Sequence, residues 1–456
     1  MYYYHKIAKL LFVFIIMALS SVVFASGSDI LPSRTGPEIV SLENCLDTAF
    51  KNSKDLKASA QNITIAKEQL RQAEGGIWPI LGYEIAASDS DRNQIEWMSA
   101  FYGVESKKIS STSINLTQPL YTGGKLTHGI QLAKLNLEAA MEDDEKARQA
   151  LIFTVKSAFY RVWLAQQMVK VAESSYDNMG RHARQVESFY QVGKASRFDW
   201  LRAQVEKENL KPTLIKAQNE VVLAKLNLAT VIGLEKSQRF MVNLDVSKLK
   251  LPDQVKLESG SLLEQAYQNR PELKRFRKLT AMAKLQTDMA YAGYKPSVAL
   301  IGSYQGRSLG KYDPGAWDDN TQWILKLDVK GNFFDGLITP AKVGEMKANQ
   351  KVVEINEFKL RDRIYQDVEQ AIQEVKEGLE IVHASQGNMN LAEESLNITQ
   401  VKFESGTATT MDVRDSQLAL DQALNGYYEG ISAYLTACAK LDLAMGTNNG
   451  TTLITN

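Results

Sequence analysis

The chain is written twice. LDTAFKNSKDLK at 46–57 aligns with LEQAYQNRPELK at 263–274, an offset of 217 that also places Pro79 on Pro296. Later the offset becomes 213 and stays there. LYTGGK from Leu120 falls on FFDGLI from Phe333, Val155 and Ala158 on Val368 and Ala371, Tyr190 and Gly193 on Phe403 and Gly406, Gln204 on Gln417, and Gly233 on Gly446. A single length change of four residues explains both offsets. Each match is weak alone, but their constant spacing marks an internal duplication.

Both halves predict the same order of elements. A helical stretch (41–75; 261–293) is followed by two short segments with period-two alternation, then by a very long helix (126–192; 339–404). A glycine breaks that helix and another long one returns (197–232; 410–445). Strands are read from alternation. In 323–329, Trp323, Leu325, Leu327 and Val329 alternate with Ile324, Lys326 and Asp328; in 113–120, Ile114, Leu116 and Leu120 alternate with Ser113, Asn115 and Thr117. In 81–88, Leu81, Tyr83, Ile85 and Ala87 alternate with Gly82, Glu84, Ala86 and Ser88; 297–305 is the weakest of the four. Polar loops such as SDSDRNQ and GKYDPGAWDDN join the paired strands. At about 1.5 Å per residue the helix over 126–192 reaches on the order of 100 Å, a coiled-coil or tube length. Val155, Phe159, Val162, Met168 and Val169 form its apolar seam. Pro340 sits where a helix start tolerates it. Pro212 falls inside a helix, where its counterpart is Asn425, and predicts a local kink.

The first 25 residues differ from the rest. Lys6 and Lys9 precede an apolar run from Leu10 to Leu19, and small residues end at Ala25, the layout of a cleavable secretory signal. No later run approaches the roughly 20 apolar residues of a membrane helix. No cysteine follows the cleavage point until Cys45, so no lipid-attachment site is expected there, and Cys45 and Cys438 are expected as separate buried residues rather than a bridge. Lys+Arg and Asp+Glu balance at 53 each, so no basic excess points to nucleic acid. The expected organisation is a signal peptide (1–25), an extension (26–40), a first repeat (41–235), a linker (236–260), a second repeat (261–446) and a tail (447–456).

Four short strands with one apolar and one polar face, and no globular core beside them, fit an outer membrane, where the apolar face meets lipid and the polar face water. Four strands are too few for a barrel, and open edges are not tolerated in lipid. The chain must therefore share its barrel with copies of itself. The duplicated order, the Asn52/Asn269 "A…N…L" starts, the LTQPLYTGGK strand-to-helix junction and the closing AKLNLATVIGL and AKLDLAMG resemble the TolC-type outer-membrane efflux family over about 41–446. The resemblance implies an α+β membrane protein. As a homotrimer it would pool four strands per copy into a 12-stranded barrel, continued by a periplasmic α-helical barrel. It further implies a passive exit duct for efflux or type I secretion, docked to a periplasmic adaptor and a proton- or ATP-driven inner-membrane pump, with 236–260 in an equatorial belt. The alternative from another class is a periplasmic coiled-coil adaptor or scaffold without a barrel, and the alternation in 113–120 and 323–329 argues against it.

The sequence offers no catalytic constellation. His5, His128, His182 and His383 are scattered, none at metal-ligand spacing, and His128 reads as a polar surface residue. GGK at 123–125 lacks the rest of a phosphate loop. No enzyme activity, cofactor or metal is expected. Two turns repay attention instead. After Gly193 and Gly406, Ser196 with Asp199 and Thr409 with Asp412 each fit a capping box. Capping accounts for Asp199 and Asp412 but not for Asp415, whose counterpart is Arg202. Read alone, Asp415 is a solvated acid. The resemblance implies that Asp412 and Asp415 line the periplasmic aperture, where six carboxylates in a trimer would favour cations. The chain departs from the family pattern at Ala408, where a basic residue is expected, and at Phe403, where a tyrosine is. Arg202 or Arg414 is then the candidate gate partner of the acids. Trp97, Phe101, Tyr102, Tyr312 and Trp317 fall in strand-connecting loops and are expected either at the membrane interface or as loop-packing residues.

Overall fold

The computed structural model describes residues 38–447 apart from 93, 104–106, 235–239, 245–250, 253–256 and 310–320. The signal segment, most of the extension and tail, parts of the linker, and Tyr312 and Trp317 lie outside the described residues, as does the side chain of Tyr102. In chain order the elements are β1 (Glu38–Val40), α1 (Leu42–Asn52), α2 (Lys54–Gly75), β2 (Ile80–Asp89), α3 (Glu96–Tyr102), β3 (Lys108–Tyr121), α4 (Lys125–Gln191) and α5 (Arg197–Ile232). The second half continues with β4 (Phe240–Val242), α6 (Ser259–Asn269), α7 (Pro271–Tyr291), β5 (Ser297–Leu309), β6 (Thr321–Lys330), α8 (Ile338–Glu404) and α9 (Thr410–Met445). The linker thus holds a short strand and the start of α6, and α3 stands where the sequence suggested only a polar loop.

Each opening helix, expected as one stretch, is broken in two. The breaks fall at Ser53 and Arg270, equivalent positions of the two halves. Ser53 Oγ accepts the Leu56 N–H at 3.3 Å and so starts a new helix. Arg270 is extended (φ −60°, ψ 120°), and Pro271 supplies no N–H to continue α6. Each break is the seat of the glycine that ends the same half. Gly233 (φ 71°) lies so close that a Cβ would come within 2.8 Å of Asn52 Cβ, and at Gly446 (φ 68°) it would meet Arg270 N at 2.8 Å. Break and glycine are one device, used twice.

The main core lies where α4, α5, α8 and α9 pass the short helices α1 and α6. Val155, Phe159 and Val162 are buried there as the periodicity suggested, with Trp163 set edge-on to Tyr428 at 5.9 Å, whereas Met168 and Val169 are only half-buried. Gly378 lets α8 approach α9 closely, since a Cβ there would sit 3.0 Å from Tyr434 Cα. Cys45 and Cys438 are both buried and free. Helix α5 continues through Pro212.

Four of the six described strands form one antiparallel sheet in the order β2–β3–β5–β6. Residues directly opposite share a face, so the register decides its chemistry. One face carries the rows Tyr83–Ile114–Tyr304–Trp323 and Leu81–Leu116–Gly302–Leu325; the other carries Glu84–Ser113–Gln305–Gln322 and Gly82–Asn115–Ser303–Ile324. Ser303 Oγ donates to Asn115 Oδ1 at 2.8 Å on the polar side. Leu120, expected on the apolar face, sits at a bulge instead, and Tyr121 takes the place opposite Val298. Tyr83, Trp323, Leu325 and Leu327 are strongly exposed in the single chain. Among the described residues no helix is long and apolar enough to cross a membrane.

The helices stand in the same order as the strands they feed. Near the sheet the wall runs α2–α4–α7–α8, and toward the far end α5–α4–α9–α8.

Candidate functional site

The far end of the wall is made by two turns, α4 to α5 and α8 to α9. Their geometry is the same at an offset of 213. Gly193 (φ 75°) and Gly406 (φ 76°) take the left-handed conformation that ends a helix. The Lys194 N–H reaches back to Phe189 O and the Thr407 N–H to Lys402 O, both at 2.8 Å. Both returning helices begin with a full capping box. Ser196 Oγ accepts the Asp199 N–H at 3.1 Å while Asp199 Oδ2 accepts the Ser196 N–H at 3.2 Å; Thr409 and Asp412 do the same at 3.3 and 2.7 Å. The Thr409 backbone and hydroxyl bonds hold the Asp412 carboxyl below its ordinary 3.8, so it stays charged into acid.

Asp415 makes no cap. Its side chain is exposed and its nearest cation is Arg414, at 3.6 Å from Nε. The expected pairing of Arg202 and Arg414 with the acids is found only there, and neither arginine forms an ion pair with Asp412 among the described residues. Both turn instead toward Glu206, which the sequence reading missed. Arg202 Nε lies 3.1 Å and Arg414 Nη1 3.9 Å from Glu206 Oε1, and both guanidinium groups also contact Met411 Sδ. The Glu206 side chain is only 11% exposed, and its Oε2 has no hydrogen-bond partner among the described residues. Glu206 thereby links α5, in the first half, to α9, in the second. The i,i+4 spacing of Arg202 and Glu206 was the one sequence signal for it.

Behind the turns a small apolar cluster of Ala183, Val186, Ala203, Phe403 and Val413 fastens the four helix ends. Phe403 lies 4.6 Å from the His182 ring, and Tyr190 stacks on Trp200 at 5.5 Å. A cleft of about 470 Å³ opens between the two turns, lined by Phe189, Lys194, Glu404 and Thr409 among others. His182 is buried with Nε2 unpartnered among the described residues, and burial pushes its imidazole down from 6.5 to about 4. The unfolded chain takes this proton near 6.5 and the folded tip only near 4, so folded stability falls as pH drops through that window. Replacing His182 by Gln should remove on the order of 3 kcal/mol of this acid-side loss, seen by amide exchange of the tip at both ends of the window. His128, expected on the surface, is half-buried, with Nδ1 unpartnered among the described residues.

Comparison with known proteins gives the same architecture. The family model described as outer membrane efflux protein matches residues 45–234 and 262–447, one block per half. TolC of Vibrio cholerae is 22% identical over 419 residues, covering 89% of this chain and 90% of the relative. The cobalt-zinc-cadmium resistance protein CzcC of Cupriavidus metallidurans is 24% identical over 403 residues, covering 84% and 86%. The crystal structure of CusC superposes with a TM-score of 0.77 at 16% identity, covering 94% of this chain and 100% of that one. The CmeC channel of Campylobacter jejuni gives 0.76 at 16% identity, covering 93% of each. From its duplicated order, its amphipathic sheet and these matches, the chain belongs to the outer membrane efflux protein family, TolC-type channels of the outer membrane with a helical tunnel in the periplasm.

Proposed function

We propose that three copies of the chain close into one duct, and that this duct is the passive outer-membrane exit of a tripartite efflux or type I secretion system. The observation that carries the reading is a wall with unfilled edges at every level. In the sheet, β2 and β6 each lack a neighbour on one side among the described residues. In the helical wall, α8 stands at one edge throughout, and the other edge is α2 near the sheet and α5 toward the tip. Exposed apolar side chains lie on those edge helices, Val222, Leu223 and Leu226 on α5 and Val352, Ile355 and Phe358 on α8. A β6 edge fits the β2 edge of another copy, and such head-to-tail contacts close a ring. Three copies give a 12-stranded barrel, an even number within the bacterial range. The polar face of the sheet then lines water and the apolar face meets lipid.

At the tip, the ring brings three Asp412–Asp415 pairs around one aperture, and the Glu206 link holds α5 against α9 in each copy. The tip is also where a periplasmic adaptor docks, with energy supplied by an inner-membrane pump. The relatives include one named for cobalt, zinc and cadmium resistance and one for pyoverdine export. With such different cargoes on one architecture, cargo choice belongs to the pump. Sedimentation in detergent should give a trimer for the mature protein, and Leu223→Glu or Phe358→Glu should each shift it to monomers, because a carboxylate cannot be buried unpaired in an apolar seam. A monomeric periplasmic protein that never conducts in bilayers contradicts the reading.

A further inference from the structure

The turn between β6 and α8 is the most exposed apolar segment of the described chain. Phe333 and Phe334 stand fully or largely in solvent, and Leu337 and Ile338 are each about two-thirds exposed (65% and 68%). Trp78 and Ile77, which precede β2 at the same end of the sheet, are exposed as well. Such a patch marks an interaction surface rather than a scatter of single residues.

The backbone adds an independent observation. Leu337 is the one non-glycine residue with positive φ among the described residues, at 68°. The equivalent residue of the first half is Gly124, which takes its φ of 99° without strain. The second half therefore accepts a disfavoured leucine conformation at the start of α8, where the Leu337 carbonyl accepts the Ala341 N–H at 3.2 Å. Strain of this kind persists where something outside the local backbone rewards it.

Position says what that is. The apolar column of β6, Trp323, Leu325, Leu327 and Val329, runs down the lipid-side face directly into this turn. Lys342 and Lys295 are exposed around it, while Lys330 is turned to the polar face, where its Nζ lies 2.7 Å from Asp328 Oδ2. The one acid in the turn, Asp335, is engaged in accepting the Thr339 N–H at 2.9 Å and so serves the start of α8. Aromatic and aliphatic side chains fringed by lysines are the pattern of a membrane boundary, with rings at headgroup level and ammonium groups reaching phosphates.

We propose that the Phe333–Ile338 turn is a lipid anchor, seated in the periplasmic leaflet of the outer membrane among phospholipid acyl chains and headgroups. The inference rests on the outer-membrane placement of the sheet. It extends lipid contact below the last strand residue, and the second half differs from the first at the helix start, where Leu337 and Ile338 replace Gly124 and Lys125.

Nitroxide labels at Phe334→Cys and, separately, Ile338→Cys test it in the full mature protein reconstituted in phospholipid vesicles. Leu325→Cys on the lipid-side face is the reference. The native Cys45 and Cys438 are buried, with thiols pushed up to about 11 and about 12, and stay unlabelled at neutral pH. Collisions with dissolved oxygen, but not with a water-soluble nickel chelate, are expected at 334 and 338 as at 325. Nickel access at 334 and 338 with lipid access at 325 overturns the anchor and leaves the channel reading standing. Labels shielded from both relaxers place another copy, not lipid, over the turn and also overturn it. Nickel access at all three sites overturns the membrane placement itself.

Discussion

A channel carrying Asp412→Asn and Asp415→Asn together is expected to lose most of its preference for cations. Unit charges about 4 Å apart interact by roughly 1 kcal/mol in water and more near a protein surface, and each 1.4 kcal/mol is tenfold in an equilibrium. In the proposed ring, six carboxylates around one mouth would therefore sustain a selectivity of about tenfold or more, and block by polyvalent cations should weaken in step. Asparagine is the informative replacement. Its side-chain oxygen can still accept the Thr409 N–H that Asp412 now takes at 2.7 Å, so the helix start survives while the charge is removed. Alanine at 412 would confuse the two, since loss of the cap alone costs about 0.5–2 kcal/mol. Asp415→Asn by itself carries no capping penalty, because Asp415 caps nothing. Reversal potentials across a salt gradient in planar bilayers read the effect. Unchanged selectivity in the double variant rejects the acid ring.

The largest loss of stability is expected far from the tip. Lys156 Nζ lies 3.3 Å from Asp442 Oδ2, with the two side chains 5% and 13% exposed. Lys156→Met leaves Asp442 buried without its cation, and removing one partner of a buried pair costs about 3–5 kcal/mol. Burial already raises the Asp442 carboxyl above its ordinary 3.8, opposed by Lys156. Without the lysine it rises further. The protonated acid is then the form that the fold tolerates, so the penalty is full at neutral pH. It shrinks as pH falls below the raised folded value toward 3.8. Adding Asp442→Leu should restore most of the stability at neutral pH. Thermal unfolding in detergent across that pH range checks all three statements, and a Lys156→Met penalty independent of pH would contradict them.

Much of the molecule is legible in one sequence because its elements are long and regular. The ends of α4, α5, α8 and α9 follow from Gly193, Gly406 and the Ser196 and Thr409 caps, which are local signals. The four strands follow from alternation, since period two is set within each segment. What escaped depends on neighbours distant in sequence. The breaks at Ser53 and Arg270 exist because Gly233 and Gly446 seat against them. Glu206 is an ordinary helix glutamate until Arg414 arrives from the other half of the chain. His182 looks like a surface histidine in a polar run, and only the closing of the tip buries it against Phe403. The Leu120 bulge and the left-handed Leu337 are properties of pairing and placement that alternation does not encode.

The proposed molecule is a water-filled duct closed by copies of this chain and narrowed by acids at its periplasmic end. Single-channel recording of the purified mature protein in a planar lipid bilayer tests it most directly. Discrete, cation-selective conductance steps are expected, blocked by a polyvalent cation added at the tunnel-tip side. A protein that inserts no conducting unit, or one that conducts anions and cations alike, would contradict it.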